Sequence, residues 1–304
     1  MARPLPILAC ALAVVAAAGP QAHAQRLVFL STHPIHSAMV AHVVLAAAIV
    51  PRQASGQVED TLLHARIKTG EAVVWYLYHS GWAIRTASHL LIFDYAPAFR
   101  KGAPGDLADG WISPEEIRDL RVVVFISHAH SDHFDPSILS WRAQIPSLRF
   151  VFGWPTPLAG EADVAFGEAR EVREVDGVRV LNVHHEFDGI PESAFLVQVD
   201  SLTLIHSGDH AHSRGLSQPV FRDNIEYLKE KAPNLDILFT PTFGDEMDAV
   251  RLLDPAIVIP MHDGGRERQY RRFAEEVARS GLAVRVWAAS RPGDRMTYDR
   301  STSR

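Results

Sequence analysis

The sequence predicts an α/β domain whose site is assembled from several loops, and two observations predict it. Short runs of β-branched and aromatic residues alternate with amphipathic helical stretches, and residues able to bind metal collect where those runs end. The densest collection is Ile126-Ser127-His128-Ala129-His130-Ser131-Asp132-His133, which follows the apolar run Arg121 to Ile126 and precedes Asp135-Pro136, an N-cap with proline at the first helical position. A lone loop histidine is more often solvated or packed than ligating, but three imidazoles and a carboxylate this close together reverse that reading. His128 and His130 share one parity and reach one ion, while Asp132 and His133 reach a second beside it.

The rest of the chain is consistent with such a domain. With 304 residues, 47% hydrophobic and 22% charged, it buries a full core in one large or two modest domains. A net charge of -6 gives no attraction to nucleic-acid phosphates, and no Lys/Arg block makes a local exception, so a small-molecule substrate is expected and nucleic acid is not. Oligomeric state is left open.

Residues 1–24 have the three parts of a signal peptide: Met1-Ala2-Arg3, an apolar run from Leu5 to Ala18, and Ala22-His23-Ala24 after Gly19-Pro20. The run is short for a bilayer, so the expectation is cleavage after Ala24, export to the periplasm or beyond, and no stable membrane span in the mature chain. Cys10, the only cysteine, lies inside it. Residues 25–59 stay unassigned. A second apolar run, Val43 to Val50, follows Met39 and leaves open a start there, and His33, His36 and His42 show no metal spacing.

From residue 60 to 290 the pattern is that of one domain. Ala72 to Tyr78, Trp82 to Thr86 and His89 to Phe93 read as a three-strand meander. Ser113-Pro114-Glu115-Glu116 is a capping box that opens a short helix before the strand Arg121 to Ile126. Pro136 to about Arg142 reads as a helix, Arg149 to Phe152 and Gly177 to Val183 as strands, and Phe195 to Val199 with Leu202 to Ile205 as a hairpin. Asn224 to Lys231 and about Arg266 to Ser280 read as helices, the latter with a core stripe of Tyr270, Phe273 and Val277. Leu235 to Phe239, Ala256 to Ile259 and Arg285 to Trp287 read as strands, and 291–304 as a loose tail. Loops around His79, Glu186 to Ser193, His210 to Gln218 and Thr240 to Asp248 are expected to carry substrate specificity.

The spelling His-x-His-x-Asp-His resembles the signature of the metallo-β-lactamase superfamily, and most closely its metal-dependent hydrolases related to ascorbate-6-phosphate lactonase. Asp94, His184-His185, Ser207-Gly208-Asp209 and Pro260-Met261-His262 continue the resemblance in order. It implies a four-layer αββα sandwich and two divalent ions, zinc first and manganese second. His128, His130 and either His184 or His185 would hold one ion, and Asp132, His133 and His262 the other, with Asp209 bridging. Strand alternation leaves His184 and His185 undecided; the family's third ligand sits where strand gives way to loop, which selects His185. The resemblance also implies Asp132 and His133 as catalytic, a histidine facing the site at His79, and Asp94 holding the site loop. His210, next to Asp209, is read as lining the pocket and His212 as a loop residue.

The implied activity is hydrolysis of an ester, lactone or related bond by metal-activated water. Gly-x-Ser-x-Gly is absent and the mature chain would have no thiol, so a covalent nucleophile is not expected. The alternatives are phosphodiesterase or phospholipase-type cleavage on the same scaffold and a non-catalytic metal-binding envelope protein.

Overall fold

In the first sheet of this computed structural model, β1 (Glu71–Tyr78), β2 (Gly81–Arg85), β3 (Leu90–Phe93), β4 (Val122–Ile126), β5 (Leu148–Phe152) and β6 (Val164–Ala165) lie side by side in chain order. The second is built from β7 (Val172–Val175), β8 (Val178–Phe187), β9 (Ile190–Val199), β10 (Leu202–His206), β11 (Ile237–Pro241), β12 (Ile257–Met261) and β13 (Arg285–Val286), again in chain order. A last strand, β14 (Arg295–Asp299), returns to the first sheet and pairs with β1. The structure describes residues 61–187, 189–211, 218–244 and 246–303. The expected signal peptide, Cys10, Met39, residues 25–59 and His212 lie outside them.

Side-chain alternation turns these sheets into a sandwich. In β4, Val123 and Phe125 join Tyr76, Trp82, Phe195, Leu204 and Ile259 in the core between the sheets. Val122, Val124 and Ile126 face the other way, onto Ile117 of helix α1 (Pro114–Ile117) and Ile138 and Trp141 of the 3₁₀ turn Pro136–Ala143. The second sheet buries its outer face under α2 (Gln218–Lys231), α3 (Glu246–Leu253) and α4 (Arg268–Arg279), through Phe221, Ile225, Val250, Phe273 and Val277. That is the αββα layering. Because β3, β4 and β5 run parallel, as do β10 to β13, their carboxyl ends come out on shared edges where loops can converge.

Several expectations are corrected. The tail is not loose throughout: Glu71 to Trp75 pair with Asp299 back to Arg295, and Tyr298 is buried with its hydroxyl on Asp236. The stretch Glu186 to Ser193 is no open loop, since β8 runs to Phe187 and β9 starts at Ile190. Part of Thr240 to Asp248 is the start of α3, and the segment after Pro136 is 3₁₀ rather than α-helical.

Candidate metal centre

Asp94 sets the frame. At the exit of β3, its carboxylate accepts the backbone N–H of Ser127 at 2.8 Å and the Ser127 hydroxyl at 2.7 Å, and Oδ2 lies 2.8 Å from Nδ1 of His133. A carboxylate only accepts, so His133 carries its proton on Nδ1. Ser127 spends its single hydroxyl proton on Asp94, so Nδ1 of His128, 2.9 Å away, must donate to that oxygen. Both rings therefore offer the lone pair of Nε2. This is how an outer carboxylate fixes the tautomer of a ligating histidine.

Those lone pairs have nowhere to go within the protein. Nε2 of His128, His133, His185 and His262 are all buried and make no hydrogen bond among the described residues. The nearest acceptor is Asp209 Oδ1, 2.9 Å from His262 Nε2 and 3.3 Å from His133 Nε2. Four open imidazole nitrogens in the interior are a costly arrangement unless something binds them. Burial, seconded by His133, pushes His128 down to about 3, and burial pushes His185 down to about 4, which keeps both rings neutral and able to ligate. Burial also opposes charge on His133, but Asp209 and Asp94 outweigh it and raise its pKa well above the ordinary value. The point between those carboxylates attracts positive charge. An imidazole and carboxylate donor set without thiolate suits zinc, manganese or iron, so the residues present fit a divalent metal.

The donors fall into two overlapping groups, with all atoms of each within 4.8 Å: His79, Asp132, His133 and His262, and His128, His133 and Asp209. His133 belongs to both, whereas the resemblance had divided the ligands as His128 with His130 and His133 with His262. His130 joins neither; it is half-buried, its ring 4.7 Å from that of His128. His185 is also outside both groups. It is buried, with Nε2 3.6 Å from Glu192 Oε2 and Nδ1 3.1 Å from Nδ1 of His210. His184 is half-buried on the other face of β8, near the charges of Glu186 and Glu168. His210 is buried against His185 and stacks on Phe221.

His79 takes a role beyond lining the pocket. Gly264 N–H donates to its Nδ1 at 2.9 Å, so the proton sits on Nε2 and points at Asp132 Oδ2, 3.2 Å away. Burial alone would raise the pKa of Asp132, but the hydrogen bond donated by His79, with the nearby His133, outweighs it and lowers it instead. The His79 backbone, at φ +57°, is clamped by Tyr270, whose hydroxyl donates to its carbonyl, and by His262, itself at φ +67°, whose N–H donates to the same oxygen. Non-glycine residues in this left-handed region cost about 1 kcal/mol or more each and cluster at functional sites. The stripe reading of Tyr270 placed it correctly in the core but missed this bond.

Glu192 was missed altogether. It is 1% exposed, its Oε1 accepts the N–H of Asp209, and burial followed by Asp209 pushes its carboxyl well up. The pattern offered one signal, a glutamate opposite a histidine across a hairpin, but only once the hairpin's register is known.

A family model for a β-lactamase superfamily domain matches residues 73–262. A metal-dependent hydrolase from Opitutus terrae is 28% identical over 240 residues, covering 72% of this chain and 96% of its own. Among solved structures, a metallo hydrolase from the archaeon Ignicoccus hospitalis is similar with a TM-score of 0.56 at 17% identity, over 75% of this chain and 99% of that one. A diiron β-hydroxylase from Streptomyces venezuelae gives 0.52 at 14%, over 77% of this chain and 55% of that one. At such identities the solved structures speak to the fold alone.

Proposed function

The chain belongs to the β-lactamase superfamily, and from that premise we propose that it is a metal-dependent hydrolase acting on an ester, lactone or related bond of a small molecule. The observation that carries this reading is the set of four buried, unbonded Nε2 atoms, those of His133 and His262 lying 3.3 and 2.9 Å from Asp209 Oδ1. Two divalent ions held there, zinc before manganese as the resemblance implies, would supply Lewis-acid polarisation and a water that is nucleophilic at neutral pH. The chain's own residues supply position and proton handling. Asp132, whose side chain is 28% exposed against 6% for Asp209, is the acid open to an incoming water, and His79 Nε2–H orients it. His133, pinned by Asp94, joins the two donor groups.

The Ser127 hydroxyl is committed to Asp94 and His128, and the only cysteine precedes residue 25. The name of the Opitutus terrae relative supports the reaction class, and the motif's likeness to ascorbate-6-phosphate lactonase-like proteins supports a lactone or ester among substrates. Export rests on residues 1–24 of the sequence; no helix among the described residues is long and apolar enough to cross a membrane.

Elemental analysis of the purified protein tests the metal directly, and a panel of lactones, esters and phosphodiesters tests the bond. Close to two ions per chain and lactone or ester turnover that chelator abolishes are expected. Protein that takes up no metal on reconstitution contradicts the reading, and turnover confined to phosphodiesters redirects it.

A further inference from the structure

Glu192 is a buried acid that the ligand set above leaves unused. It lies on β9 directly across from His185 on β8, on the same face of the sheet. Its Oε2 stands 3.6 Å from His185 Nε2 and 3.9 Å from His128 Nδ1, too far for hydrogen bonds. No Lys or Arg among the described residues forms an ion pair with it. One backbone N–H, from Asp209, is a poor substitute for hydration of a carboxylate, and a buried carboxylate persists only with a compensating positive charge or as the neutral acid.

The surroundings indicate which. Two donors on one ion, each about 2.0–2.2 Å from it, stand roughly 3–4 Å apart. The His185–Glu192 spacing fits two ligands sharing an ion and does not fit a bonded pair. His185 Nε2 is itself buried and unbonded. Its ring is held from behind, with Nδ1 of His210 3.1 Å from Nδ1 of His185; for Nε2 to ligate, His185 Nδ1–H donates to His210, and His210 Nε2–H in turn needs the Asn224 side chain, 3.4 Å away, to present its oxygen. The backbone also makes room for the carboxyl. A side chain at Gly208, which sits at φ +57°, would come within 2.8 Å of Ser127 Cβ and 3.1 Å of Glu192 Oε1.

We propose that Glu192 and His185 are ligands of one ion of the centre, Glu192 adding an anionic oxygen beside His185. The proposal rests on the metal-dependent reading above. It also sets metal preference: a further carboxylate shifts the site from zinc toward manganese or iron.

Cobalt(II) uptake by the wild type, Glu192→Gln and Glu192→Asp tests this, read by cobalt stoichiometry, affinity, visible d–d absorption and metal-free melting temperature. Gln keeps an acceptor for the Asp209 N–H but loses the charge. In Glu192→Gln, one cobalt is expected to bind at least about tenfold more weakly, with a more intense visible band as the coordination number falls, and the affinity for manganese relative to zinc should decline. Glu192→Asp should keep both ions with a shifted band, which preserves the test if the Gln variant does not fold. Spectra and affinities identical to wild type overturn the proposal even if metal-free melting changes, because Glu192 would then only support the Asp209 loop. Failure of the wild type to bind any cobalt overturns the hydrolase reading as well, so the two failures are distinct.

Discussion

The two ends of β3 and β4 carry nearly the same side chains and use them oppositely. At the amino end, His89 is buried with both nitrogens occupied: Nδ1 lies 2.7 Å from Ser88 Oγ and Nε2 3.0 Å from the Asp176 carbonyl. Asp200 accepts from Thr86 Oγ1 and from Ser88 N, each at 2.7 Å, and Arg121 reaches Asp176 with Nε at 3.0 Å and Nη2 at 2.8 Å. At the carboxyl end, Asp94, Ser127, His128 and His133 form the same kind of chain, yet each histidine leaves Nε2 open in the interior. Histidine, serine and aspartate do not make a site by being buried together. A network that closes on itself ties the β2–β3 turn to the turns of the second sheet, and one that stops a bond short is prepared for a ligand.

The largest effect should come from closing or cutting the open network at Asp94. Asp94→Asn replaces an acceptor facing His133 Nδ1 by an amide that can present its own N–H there, which favours the tautomer with the proton on Nε2. Loss of most bound metal is expected, with activity down by about ten- to a hundredfold and stability lower by about 3 kcal/mol, as for a broken buried pair. Metal content and denaturant melts of the variant check this. Full metal occupancy would show that Asp94 does not set the tautomer.

How much of this was legible in the sequence divides along the same line. The strands of the first sheet were readable because Val122 to Ile126 and their neighbours are apolar on both faces, and the open ligands were readable because His128 to His133 compress them into one turn. β14 was not, since an edge strand spelled Arg-Met-Thr-Tyr-Asp buries only Tyr298 and owes its form to pairing with β1. α3 starts within a polar stretch, and its apolar face, Ala249, Val250 and Leu253, shows only against the second sheet. Glu192 depended on a register. Pro191 argues against a strand, so Glu186 to Ser193 reads as loop, and only the pairing of His185 with Glu192 puts the acid beside the centre. The closed network likewise joins residues 86–89, 121, 176 and 200, which no local spacing connects.

A smaller effect, and of a different kind, is expected from the closed end. Asp200→Ala removes the acceptor shared by Thr86 Oγ1, Ser88 N and Ser88 Oγ, and should cost about 1–2 kcal/mol, with metal content and the kinetics of any hydrolysed substrate unchanged. Thermal melts beside elemental analysis read both halves of that statement. Loss of metal in this variant would mean that the two ends communicate, and the contrast drawn above would fail.

The smallest effect separates the ends by pH. The Arg121 hydrogen bond holds Asp176 below the usual carboxylate range despite some burial; at Asp200 burial pushes upward, but the bonds from Thr86 and Ser88 win and its pKa is also lowered. For a group depressed in the folded state, the unfolded chain binds more protons between the two pKa values. Its contribution is therefore complete above the unfolded value of about 3.9 and is lost as pH falls through the folded one. Because the Arg121 pair is half exposed, Asp176→Asn should cost only about 0.5 kcal/mol near neutrality. That gap should hold constant down to about pH 5 and shrink below about pH 4. Metal release should come at higher pH, since ligating imidazoles must stay unprotonated. Urea melts of wild type and Asp176→Asn from pH 7 to 3.5, with bound metal measured at each point, check the order. A gap that closes between pH 6 and 7 would instead assign the dependence to His89, which burial lowers from its ordinary value and which loses stability as it is forced to protonate.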